Sequence, residues 1–288
     1  MIFLGVAILC GFLTALSDII SKLFMERDKK DSVSALIVRW LFTLPFLIPF
    51  MMKKNEVQKI DLQITSLYFF GSFLEVLSAY LYLKSLEIGE ASYTLQFQAI
   101  TPALIPIFSP LLIGEKYSLL GITGIIIISV GSFALTRSEN QKNLKSALLM
   151  ITSATIYSIT SVIGRYISTK IDPLFFGSTY MYLSAFTMLI LIYKIYGKEK
   201  IKESIKISKI TVLLGITTAM AVITHFLAIS KIEAGYMIAL KRTSVVFSVI
   251  LARPILGERR FFTRLSFSII IAIGVFLIGM SINSSFQK

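Results

Sequence analysis

The sequence states one pattern twice. Shifted by 143 positions, Gly114-Glu115-Lys116 falls on Gly257-Glu258-Arg259. The same register sets Glu90 on Glu233, Ala91 on Ala234, Tyr93 on Tyr236, Gly131 on Gly274 and Phe133 on Phe276. Ile126, Ile127 and Ile128 fall on Ile269, Ile270 and Ile271, and no gap is needed anywhere in the window. Chance matching among apolar residues rarely holds one register for so long. The chain therefore reads as two copies of one unit, each half its length.

The apolar runs say what the unit is. Hydrophobic residues make up 55% of the 288, charged residues 16%, and the mean hydropathy is +0.79. A soluble domain carries about a quarter charged residues. A helix that crosses a bilayer needs about 20 mostly apolar residues, and the chain offers many such runs. Open strands cannot cross, because lipid leaves their backbone groups unpaired, and the alternation of a barrel is absent. The expected fold is all-α and integral to the membrane. Its ten transmembrane helices lie near 2–25, 33–52, 64–86, 91–112, 118–136, 145–168, 174–196, 209–230, 235–256 and 264–282. The first run has no basic stretch ahead of it, so a cleaved signal peptide is not expected. No gap leaves room for a soluble domain.

Ten spans and one repeat give five helices per copy, joined by a polar stretch near 137–144. An odd number of spans turns the second copy upside down in the membrane. The expected units are two inverted five-helix repeats, 1–137 and 145–282. Repeats of this kind recur in secondary transporters, with the substrate site between the halves near the bilayer midplane.

Charge and rare residues narrow the classes further. The net charge of +13 is no nucleic-acid footprint, because most Lys and Arg lie in the short gaps between apolar runs, where they face headgroups. Loops after odd-numbered spans hold more than twice the Lys and Arg of the others, which by itself places both termini outside. Cys10 is the single cysteine and His225 the single histidine, so neither an intrachain disulfide nor a zinc cluster is available. There is no Walker-type loop, and no cofactor is expected. The remaining classes are a secondary carrier, a membrane-embedded enzyme and a non-transporting scaffold or sensor. An enzyme would need a nucleophile–base pair or metal ligands within the spans, and no such constellation is visible. A scaffold has no use for ionisable residues deep in its helices.

The two helices that end in Gly-Glu-basic, each followed by a helix with a late Gly, resemble the drug/metabolite transporter superfamily, in particular its ten-helix EamA-type branch. The stretches that carry the resemblance are 102–133 and 240–276, with Lys22 and Arg165 also matched at the 143-residue shift. One departure is Arg264, which stands where the first copy has Gly121. The resemblance implies a small-molecule carrier of the cell membrane working by alternating access, with a cavity walled by helices 1, 3, 4, 6, 8 and 9. It also implies cytoplasmic termini, against the loop-charge count.

Gly114 with Glu115 and Gly257 with Glu258 read first as helix stops, since Gly is the usual residue past a helix end. A gating role for the acids, paired with loop arginines such as Arg259 or Arg260, is the sharper alternative. Asp18 and Lys22 are spaced to share a face and neutralise each other, with Thr14, Ser17 and Ser21 extending a polar stripe. Glu75 lies too deep in the third helix to reach the interface, and Tyr82 shares its face. A charge at that depth costs roughly 2.5–3.5 kcal/mol, so it needs compensation. Lys241 and Arg242 in the ninth helix are the candidates to supply it. At the equivalent places the first copy has Gln98 and Ala99, with Gln96 nearby. His225 lies within the eighth helix as a packing residue or a proton carrier. Arg39 and Arg165 suit topology or inter-helix pairing. The expected partners are membrane lipid, a small substrate and a coupling ion, and a monomer holds both copies. One acid and two bases predict a substrate with an anionic group, such as an amino acid or another zwitterion. The competing substrate is a drug-like cation held by Glu75 alone.

Overall fold

A computed structural model describes residues 2–52, 54–134, 144–205, 207–257, 270, 273–278 and 280–281, without the side chains of residues 54, 92, 96, 99 and 132–134. The described residues are helical throughout, with no strand among them. Helix α1 spans Ile2–Arg27. It is followed by α2 (Ser32–Leu41), α3 (Leu44–Leu47) and, after a 3-10 turn at Ile48–Met51, the short α4 (Lys54–Val57). Helix α5 spans Leu62–Ile88. Then come α6 (Ala91–Thr94), a 3-10 turn at Leu95–Ala99, α7 (Ile100–Ile113) and α8 (Leu119–Ala134). The second half holds α9 (Leu144–Ser168), α10 (Pro173–Ser204), α11 (Lys209–Ile229), α12 (Ala234–Lys241) and α13 (Thr243–Leu256). Seven stretches are long and apolar enough to cross a membrane, and Ile100–Ile113 and Leu119–Gly131 are shorter apolar helices. The expected tenth span, 264–282, lies mostly outside the described residues.

Local chemistry explains where the helices start and stop. The Asp31 carboxylate accepts from the Ser34 N–H at 3.0 Å and opens α2. Ser208 and Thr211 bond each other reciprocally and open α11. Side-chain oxygens here satisfy N–H groups that a helix start leaves without partners. Gly114 and Gly257 adopt left-handed φ of 69° and 68°, a conformation that costs glycine nothing. Each closes its helix by the same bond, Gly114 to the Pro110 carbonyl and Gly257 to the Arg253 carbonyl, 143 positions apart.

Three of the expected spans differ from continuous helices. Residues 33–52 break at Phe42–Thr43, where Pro45 opens the next turn. The 91–112 segment passes through the 3-10 turn at Leu95–Ala99 before α7. The 235–256 segment breaks at Arg242. Helix α10 runs beyond its expected end, with a kink at Gly197 (φ 79°).

Burial runs opposite to that of a soluble protein. On α5, Phe69, Phe70, Phe73 and Leu77 are exposed, while Ser72, Ser78 and Ser85 are buried. Small polar residues then join helices at close range. Ser78 and Ser153 each donate to the other's carbonyl, at 3.0 and 2.8 Å, stitching α5 to α9. Ser85 adds a bond to the Ser146 carbonyl at 2.7 Å. Ser17 and Thr218 share a bond of 2.7 Å between α1 and α11. Each stitched pair takes one helix from either half of the sequence, and the space between the pairs forms the central cavity.

Candidate functional site

The cavity has a volume of about 180 Å³. Its walls come from α1 (Thr14, Asp18), α2 (Arg39, Trp40), α5 (Glu75, Tyr82), α9 (Tyr157, Thr160), α11 (Thr218, His225) and the α12–α13 junction (Lys241, Arg242), with Gln98 beside them. Of the residues expected to bind substrate, Glu75, Lys241, Arg242, Gln98, His225, Asp18 and Tyr82 meet around this one space. The side chain of Gln96 lies outside the described residues, and so does Glu258.

The charges are partnered differently from what helix spacing suggests. Asp18 does not neutralise Lys22. Its carboxylate accepts from Arg39 Nη1 at 2.9 Å, and it is 2% exposed. The Lys22 ammonium is not in the cavity wall. It donates to the carbonyls of Leu86 (2.8 Å) and Gly89 (2.9 Å) and lies 3.3 Å from Glu26. The carbonyls at the open C-terminal end of α5 attract a cation, and together with Glu26 they hold the lysine away from Asp18. Arg165 makes the corresponding contact, donating from Nη1 to the Ile229 carbonyl at 2.7 Å, 143 positions along on both sides.

Glu115 does more than follow a helix stop. Its carboxylate accepts from Arg165 Nε at 2.9 Å, from the Ala234 N–H at 3.1 and 3.2 Å, and from the Tyr117 hydroxyl at 2.6 Å. It thus caps α12 across the sequence halves. Among the described residues its basic partner is Arg165, and the loop arginines Arg259 and Arg260 lie outside them. Arg39 and Arg165 both serve inter-helix pairing.

Neither Lys241 nor Arg242 contacts Glu75 directly. Lys241 Nζ donates to the Tyr157 hydroxyl at 3.0 Å and sits 5.2 Å from that ring's centre. Arg242 Nη1 donates to Gln98 Oε1 at 2.7 Å, so the amide of one half meets the cation of the other. Glu75 lines the cavity together with Thr160, whose hydroxyl donates to the Tyr157 carbonyl at 3.2 Å. Among the described residues no basic nitrogen lies within 4.0 Å of Glu75. Glu75 and Lys241 are only partly buried. Asp18 and Arg39 cancel, which leaves Glu75 facing two cations. Among the described residues the His225 Nδ1 atom has no hydrogen-bond partner, and its ring packs edge-on against Phe226.

Tyr157 and Thr160 were not singled out from the sequence. A signal for them existed. The polar stripe of the first helix, Thr14 and Ser17, falls on Tyr157 and Thr160 at the 143-residue shift.

Comparison with known proteins comes in three parts. Residues 1–137 and 144–280 match the model of the EamA-like transporter family. No curated protein matches. Among solved structures 29 chains match. One of them, described only as the crystal structure of a protein, aligns at a TM-score of 0.71 and 15% identity, covering 96% of this chain and 94% of its own. At that identity the likeness speaks for the fold.

Proposed function

Since the chain belongs to the EamA-like transporter family, we propose that it is a secondary transporter whose central cavity binds a small zwitterion or organic anion, an amino acid being the simplest case. The observation that carries this reading is the separation of charge within the cavity. Glu75 stands on one wall and Lys241 on another, both accessible and neither in an ion pair with the other. A self-satisfied salt bridge would leave a ligand nothing to bind. Held apart, the carboxylate takes an ammonium and the lysine takes a carboxylate. Arg242 supplies the surplus positive charge that favours an anionic group. Coulomb attraction in a partly dehydrated cavity is several times its value in water, so two such contacts suffice to select charge. The volume accommodates a molecule of roughly a dozen non-hydrogen atoms, by comparison with the space that one water needs.

The transport cycle we propose is alternating access by two inverted five-helix units, 1–137 and 145–282, with ten spans in all. The recurring contacts Lys22–Leu86 and Arg165–Ile229 support one register for both units. Spans four and nine are interrupted level with the cavity, as in carriers whose broken helices present binding groups at the midplane. One chain holds both units, so a monomer has the whole pathway, driven by a substrate or ion gradient.

The test is Lys241→Gln, which installs the residue found at the equivalent place in the first half. Binding of amino acids and of simple organic anions is measured on purified protein by thermal stabilisation. A lost charge-assisted hydrogen bond is worth about 1.5–3 kcal/mol. Affinity for zwitterions and anions should therefore fall between about tenfold and a hundredfold. Undiminished binding of cations with no response to zwitterions or anions would instead identify a cation site at Glu75. A protein that binds none of these and transports none would be a scaffold or sensor.

A further inference from the structure

Two opposite charges in one cavity, free to move on flexible side chains, should collapse onto each other. Glu75 and Lys241 do not, and α9 shows why. Tyr157 takes the Lys241 ammonium on its hydroxyl at 3.0 Å. The centre of the Tyr157 ring also lies 5.2 Å from that ammonium, so the lysine meets this one residue twice, while no basic nitrogen comes within 4.0 Å of Glu75 among the described residues. Tyr157, Glu75 and Lys241 all line the cavity. Helix α9 is itself fixed to α5, the helix of Glu75, by the reciprocal Ser78–Ser153 bonds, so the Tyr157 hydroxyl stands at a set place relative to that acid.

We propose that Tyr157 is a positioning residue that keeps Lys241 from closing onto Glu75 in a salt bridge, and so keeps the cavity able to take a substrate with both charges. The inference rests on the reading of the cavity as the substrate site, but its test needs no substrate. A neutral hydroxyl competes poorly with a carboxylate for an ammonium ion once the ions can meet, because hydrogen bonds between two ionised groups are the stronger ones. The tether holds because of where it stands, and removing it releases the lysine toward Glu75.

The experiment is a double-mutant cycle on melting temperature in detergent, with Glu75→Gln and Lys241→Gln singly and together. Such a cycle isolates the interaction between two side chains. In the parent protein the coupling should be close to zero. In the Tyr157→Phe background, which removes one oxygen and keeps the ring, a favourable coupling should appear, reading as about 3 °C or more. Tyr157→Leu, which removes ring and hydroxyl together, should give the same result, and it carries the test should the Phe variant not fold. A coupling of equal size in all three backgrounds would overturn the proposal. So would its absence from both variants, which is what residues that merely fill space would give. Failure of every zwitterion and anion to bind would overturn the substrate reading and leave this result standing.

Discussion

At the residue scale, each charge in the cavity has a neutral counterpart in the other half. Asp18 corresponds to Ser161, Glu75 to Thr218 and Lys241 to Gln98. A neutral pair, Ser17 and Thr218, suffices to join α1 to α11 at 2.7 Å. A carboxylate at position 75 is therefore not required to join α5 to α9. Glu75→Thr should change stability by less than about 1 kcal/mol, in the range of substitutions that break no structural contact. It should also abolish the preference for substrates with an ammonium group, as read by calorimetric titration of purified protein. Glu115→Gln should behave in the opposite way. It leaves Arg165 without its counter-ion in a site where Glu115 is 8% exposed, and breaking such a pair costs about 3 kcal/mol or more. Thermal melting checks this, and the variant should unfold earlier than Glu75→Thr. Glu75, Lys241 and Arg242 were legible in the sequence because a charge within an apolar run must find a cavity or a partner. Which partner it finds was not legible. Spacing along one helix joined Asp18 to Lys22, whereas the fold brings Arg39 of the next helix to the first and two carbonyls at the end of α5 to the second.

At the element scale, the breaks in the fourth and ninth spans set the cavity's geometry. Leu95–Ala99 is a 3-10 turn and the ninth span turns at Arg242, and a 3-10 stretch inside a longer helix often marks a functional hinge. Pro102 stands just past the first break, whereas Pro106 and Pro110 lie further inside α7. Nothing in the run 235–256 signals the second, because neither Gly nor Pro stands near Arg242. It becomes intelligible only with α1 in place. Gly11 passes so close to the junction that an added carbon there would meet the Thr243 hydroxyl and lie 3.0 Å from the Lys241 carbonyl. Gly11→Val should push α1 off the junction, at about 1–3 kcal/mol as for other overpacked sites, and shift Lys241 with it. Substrate affinity should fall at least tenfold. Gly5→Val, where nothing lies within 4 Å, should leave affinity unchanged. Equal effects in the two variants would show that the close approach has no bearing on the site.

At the scale of the whole molecule, the halves of the sequence are interleaved: α5 is stitched to α9 and α1 to α11. The membrane-embedded, all-helical character was legible from composition and run length, and the family from two copies of a short motif. Orientation was not, since the loop charges and the family resemblance point opposite ways. Reporter fusions decide it. Both termini should report one side, which we expect to be the cytoplasm, and the loop near 198–209 the other. Termini on opposite sides would contradict ten spans and the inverted repeat together. The most direct measurement is counterflow in proteoliposomes that contain only this purified chain, preloaded with one unlabelled amino acid at a time and offered its labelled form outside. The prediction is that at least one zwitterion accumulates transiently above equilibrium, and that Lys241→Gln removes the overshoot. No overshoot from any zwitterion or organic anion, with cations exchanging equally well in the parent and in Lys241→Gln, would contradict the account.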